Sequence, residues 1–236
     1  MGPLAVRWGA APTLAPQAGA VSRVAVDVEN AGTIAWHDGI NAAYHWLDAH
    51  DNPIVWDGRR TPAPHLGPGE RGTVELFVRA PIPPGPYRLA FDLVAEHRAW
   101  FSELGSPMLP LDLSVTPRTG DRHADLPPDV EATPAWEEHV RAAHADGYAV
   151  VAGSIEWLGG LLTPRPRELS PYEPGTGRVP GFASPLICPS VLDGIALESL
   201  GEVAGLPAFA APVDEPWLYD GRAVLRARPR SGRRRI

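Results

Sequence analysis

Three carboxylates, Asp214, Glu215 and Asp220, share the short segment 214–221 with Trp217 and Tyr219. Acids beside aromatic rings are the chemistry of a sugar site: carboxylates accept from hydroxyls or move protons, and rings stack on the apolar faces of pyranoses. The same residues also make an ordinary polar turn before a strand at Ala223–Leu225. His139 and His144 lie five apart, off the i, i+4 spacing that sets two ligands on one helix face, so the expectation is solvent-facing histidines and no metal. Cys188 follows the apolar pair Leu186–Ile187 and reads as an inert buried thiol. The glycines of Gly175-Thr-Gly177 do not open a dinucleotide fingerprint, because Pro180 stands where the third glycine belongs. No cofactor is expected.

A second set of candidates lies in the first half. Tyr44 and Trp46 alternate before a polar turn at 48–53, and Trp56 and Arg59 follow it. Exposed, these four would form an aromatic platform for a sugar ring or a partner side chain. Trp36 and Trp100 are instead expected in a core.

The elements that must hold these residues differ between the two halves. Val24, Val26 and Val28 alternate with polar neighbours, as do Val74, Leu76 and Val78, and Leu109, Leu111, Leu113 and Val115. That period of two marks strands with one buried face. About seven such runs, punctuated by Asn30-Ala-Gly32, Asp57-Gly58, Pro68-Gly69 and Pro83-Pro-Gly85, predict an antiparallel sandwich over 1–116. Residues 117–133 read as a polar, proline-rich linker. Thr133 followed by Pro134 predicts a helix start, with Gly147 at its end and a buried strand at 148–152. A second helix is expected at 190–203. The stretch 163–185 shows no periodicity and reads as a long loop that is functional, packed against something or disordered. The expected class is therefore mainly β, an immunoglobulin-like sandwich followed by a small, loop-rich α/β region at 134–228 and a basic tail at 229–236.

The strings Val26-Asp-Val-Glu-Asn-Ala-Gly-Thr-Ile-Ala-Trp36, Pro68-Gly69, Ala80-Pro-Ile-Pro-Pro-Gly-Pro-Tyr87 and Trp100-Phe101 resemble the four-tryptophan immunoglobulin-like domain. Such domains occur in selective-autophagy receptors and in many bacterial proteins. The segment from Tyr87 to Gly105 more closely resembles modules attached to bacterial glycosyltransferases and methyltransferases of surface-polysaccharide synthesis. The resemblance covers about half the chain and implies a recognition or spacer domain without catalysis.

Composition narrows the remaining classes. All 21 basic residues are arginine and the net charge is −7, which disfavours general nucleic-acid binding even though arginines crowd the chain from Arg222 to Arg235. A single cysteine leaves no internal disulfide, and no apolar run reaches the roughly 20 residues of a membrane helix. The expectation is a cytoplasmic, non-catalytic accessory module in bacterial cell-surface glycan assembly, with a protein partner or a glycan or nucleotide-sugar ligand. The binding residues would be Tyr44, Trp46, Trp56, Arg59, Trp217 and Tyr219. The alternative is a carbohydrate-active transferase or hydrolase using Asp214, Glu215 or Asp220.

Overall fold

A computed structural model describes residues 2–158, 167–169, 186–203 and 206–228. The chain divides into two compact units between Pro117 and Arg118. No helix among the described residues is long and apolar enough to cross a membrane.

The first unit contains strands β1 (Val6–Trp8), β2 (Val21–Asn30), β3 (Ile40–Leu47), β4 (Pro53–Val55), β5 (Thr61–Pro62), β6 (Arg71–Arg79), β7 (Gly85–Ala95), β8 (Ala99–Trp100) and β9 (Leu109–Val115). One antiparallel sheet runs β1-β2-β6; the other runs β4-β3-β7-β8, with β5 on β3 and β9 on β7. The N-terminal segment serves both sheets: Gly9 N donates to Asp27 O of β2, and further on Gln17 forms a parallel bridge with Thr116 just beyond β9. Two antiparallel sheets linked in this way, with β2–β6 on one side and β3–β7–β9 on the other, make an immunoglobulin-like β-sandwich.

Its core follows from the alternating rows. Val24, Val26 and Val28 meet Val74, Leu76 and Val78 from the same sheet and Leu89, Phe91 and Leu93 from the facing one. Trp36, Trp46 and Phe101 fill the space between them. The opposite face of β2–β6 carries charge, and cross-strand pairs such as Arg71–Glu29 (2.9 Å) and Thr73–Asp27 (2.7 Å) order it.

The second unit contains β10 (Arg122–Ala124), β11 (Val130–Ala132), α1 (Pro134–Asp146), β12 (Val150–Trp157), β13 (Arg167–Leu169), β14 (Leu186–Ile187), β15 (Ser190–Leu192), β16 (Glu198–Val203), β17 (Leu206–Ala210) and β18 (Trp217–Ala227). A mixed sheet runs β10-β15-β12-β18-β11 with β13 on β12, and a small antiparallel sheet runs β14-β17-β16. The helix begins as expected. Thr133 Oγ1 accepts from Trp136 N and also donates to Val224 O (2.6 Å), so the cap ties α1 to β18. Trp136, Val140 and Ala143 bury one face of the helix.

Four expectations are corrected here. The segment 117–133 is not a bare linker, because β10 pairs with β15 and β11 with β18. Strands of three residues are too short to show a period. The stretch 190–203 is not a helix but β15 and β16. The Ser190–Leu192 backbone pairs on both sides, and Gly194 and Gly201 take φ of +79° and +100°, which a right-handed helix excludes. The strand expected at 148–152 runs from Val150 to Trp157, and the turn expected at 214–221 lies largely inside β18. Within 163–185, Arg167–Leu169 forms β13 against β12. The rest of that loop, including Gly175–Phe182, and the tail 229–236 lie outside the described residues.

Candidate functional site

Strand β3 carries two different faces. Ala42, Tyr44 and Trp46 point into the sandwich, while Asn41, Ala43 and His45 take the outer face. An outer face should meet solvent, yet His45 is fully buried, because Trp56, just after β4, and Trp100 of β8 fold over it. Trp56 stacks on the His45 ring at 4.1 Å with planes 19° apart, and Trp100 meets the same ring edge-on at 4.6 Å.

Beneath this aromatic cover lies Asp92 of β7, also fully buried. Its carboxylate accepts from Leu93 N (2.7 Å) and Ser102 N (3.4 Å) and stands 3.8 Å from His45 Nε2. The other ring nitrogen, Nδ1, faces the Trp56 carbonyl oxygen. A carbonyl can only accept, so Nδ1 carries the proton of that contact. His45 thereby holds both the backbone and the ring of Trp56.

Arg60 completes the cluster. Its guanidinium lies 5.5 Å from the Trp100 ring centroid and is held by Asp57 (2.7 and 3.1 Å) and by Glu96. The result is an indole that is 43% exposed yet anchored from below. Ile54, Arg59 and Phe77 are exposed as well, with the Arg59 guanidinium 5.2 Å from the Phe77 centroid.

The expected platform is therefore corrected in its membership. Tyr44 and Trp46 are buried rather than exposed: the Trp46 indole N–H donates to Arg79 O (2.9 Å) and the Tyr44 hydroxyl accepts from Arg79 N (3.1 Å), so both clamp the end of β6. Trp56 and Arg59 are exposed. Trp36 and Trp100 are buried. Sequence reasoning missed His45, Asp92 and Arg60. The available signal was a histidine at the alternate position between Tyr44 and Trp46, and an aspartate set among Phe91, Leu93 and Val94.

The second unit draws its expected residues into local contacts. Asp220 Oδ1 and Oδ2 each accept from the Arg222 guanidinium at 2.9 Å, and His139 Nδ1 is 3.3 Å away. The hydrogen bonds from Arg222 hold the Asp220 carboxyl below the usual carboxylate range. Glu215 lies 3.8 Å from Arg118, and Asp214 is exposed. The Tyr219 hydroxyl is 3.0 Å from Ser154 Oγ, whose own proton goes to Gly221 O, so tyrosine is the donor in that pair. Trp217 packs against the Ala149–Val150 core. Cys188 is buried and its thiol is pushed up to about 11 by burial. No group of three or more histidine, cysteine or acidic side chains among the described residues is placed to hold a metal.

His144 is not solvent-facing but buried, its Nδ1 donating to Tyr148 O (2.8 Å) and its Nε2 3.2 Å from Ser190 Oγ. Burial first, and then the charges of Arg122 and Arg118, lower its pKa below the ordinary 6.5. The folded state thus resists a proton that the unfolded chain takes up. The stability His144 contributes is complete above that ordinary value and lost as pH falls through the lowered folded value. Urea unfolding of the second unit should show this loss on acidification, and His144→Gln should remove that part of the slope.

No protein-family model matches the chain, and no curated protein does. Among solved structures, the ASH/PapD-like domain of human CEP192 (PapD-like domain 7) is similar over 48% of this chain and 83% of that domain, with 13% identity and a TM-score of 0.23. The protein is mainly β, with an immunoglobulin-like antiparallel sandwich followed by a second unit that holds strands and one helix among the described residues.

Proposed function

We propose that this protein is a non-catalytic recognition module that engages a protein partner through the Trp56 surface of its sandwich. One observation carries the reading: an indole left 43% exposed is fixed on both its backbone and its ring by a buried histidine. Tryptophan and arginine dominate interface energetics, and an anchor ordered before binding loses less entropy on association. Ile54 and Arg59, exposed and two and three residues from Trp56 in the chain, add apolar and cationic character of the kind found in interface cores. The likeness of residues 1–116 to modules of surface-polysaccharide enzymes is what connects the partner to cell-surface glycan assembly.

Quantitative capture from a bacterial lysate compares the wild type with Trp56→Ala and with Arg59→Glu, which reverses an exposed charge without touching the core. The expected result is a defined set of proteins that both variants lose by tenfold or more while their unfolding curves stay cooperative. Retention of the same set by both variants overturns the proposal. So does a glycan or nucleotide sugar that raises the melting temperature of the wild type but not of Trp56→Ala, since that makes the surface a sugar site.

A further inference from the structure

A cavity of about 520 Å³ in the second unit is lined by Arg118, Arg122, His123, Arg141 and His144, with Asp121 the one acid among its lining side chains. We propose that this cavity is an oxyanion site that takes a phosphate group, a function separate from the Trp56 surface.

The guanidiniums come from three different places: the start of the unit, strand β10 and the last turns of α1. Arg122 uses a terminal nitrogen to reach Glu137, and Arg141 approaches the same carboxylate only to 4.0 Å. One glutamate thus stands between two arginines, and it is not part of the cavity wall. Among the described residues the Arg141 side chain makes no hydrogen bond, and the Arg122 side chain makes the one to Glu137. Each guanidinium has five N–H donors in a planar fork suited to two oxygens of one phosphate, so most of this donor capacity is unused within the protein.

Arg118 is more committed. Its side chain donates to Gly147 O (3.3 Å) and lies 3.8 Å from Glu215, which steadies the end of α1 and holds the charge at the cavity mouth. His144 forms a neutral wall, with both ring nitrogens already bonded. Arg122 and Arg118 lie close enough to that histidine to disfavour its protonated form, in the same direction as its burial. His123 is exposed, 3.8 Å from Asp193.

The volume exceeds what a bare phosphate fills and falls within the ~300–1,000 Å³ usual for small-molecule sites. The class of ligand is therefore a small phosphomonoester or free phosphate, and two probes separate them. Phosphorus NMR line broadening and calorimetry at low ionic strength would be run with inorganic phosphate and with a sugar monophosphate. Saturable binding is expected, at least tenfold weaker in Arg141→Gln and in Arg122→Gln, and weakened by added salt. Tighter binding of the sugar monophosphate identifies the monoester as the ligand, and equal binding identifies free phosphate. Arg141 is exposed, so its substitution tests the site even if Arg122→Gln disturbs β10. Absence of saturable binding by either probe, or binding unchanged in Arg141→Gln, overturns the site.

Discussion

Gly153→Ala is expected to unfold the second unit while the sandwich stays intact. Strands β12 and β18 pair in parallel at the centre of the mixed sheet, and their register jumps between Gly153 opposite Asp220 and Ser154 opposite Val224. Residues 221–223 bulge out at the jump, which brings Ala223 onto Gly153. A Cβ on residue 153 would lie 1.8 Å from the Ala223 carbonyl oxygen and 2.8 Å from its carbon. Both atoms are backbone, so no rotamer change relieves the clash; the two strands must separate. The cost should reach or exceed about 3 kcal/mol, the upper end of overpacking effects. Hydrogen exchange resolved by peptide checks this directly: protection should collapse across 118–228 and persist across 21–115. Wild-type protection in both regions would show that the bulge can shift, and would remove the argument that Gly153 is required there.

Two tryptophans ten residues apart should differ sharply in what their loss does. Trp46 is fully buried in the sandwich core, edge-on to Tyr87 at 6.2 Å, with its indole N–H bonded to Arg79 O. Trp46→Ala removes that packing and one link between the two sheets, and should cost about 3–5 kcal/mol. Trp56 is 43% exposed and covers only the outer cluster around His45. Its truncation should cost about 1–2 kcal/mol, because much of its surface is wet in the folded state. Urea unfolding midpoints of the two variants measure the difference. Equal losses would mean that the outer aromatic cluster is as much a core as the inner one, and would weaken the assignment of Trp56 to recognition.

The aromatic pair shows why the candidate site was only half legible. Period two places Tyr44 and Trp46 on one face of β3, but periodicity does not say which face is inside when both are covered. Here the inner face packs on β6 and the outer face is roofed by Trp56 and Trp100. His45 and Asp92 become neighbours only through the β3–β7 register, which sets Ala43 opposite Asp92. Nothing local in either segment announces the other. The burial of His144 has a similar origin: its contact with Ser190 depends on β15 lying beside β12, whereas Ser190 read locally suits a helix cap.

Properties that neighbours along the chain decide are legible in the amino-acid order. The valine rows of β2 and β6, the turns of the sandwich and the Thr133–Pro134 start of α1 follow from side-chain alternation and capping chemistry. Long-range contacts set the pairing of β10 with β15 and of β11 with β18, the strands in place of the helix expected at 190–203, and the burial of Tyr44 and Trp46. They also bring His139 to Asp220. Each of these rests on hydrogen bonds or packing between residues distant in sequence, and such contacts override weak local preference wherever a strand is short or both of its faces are covered.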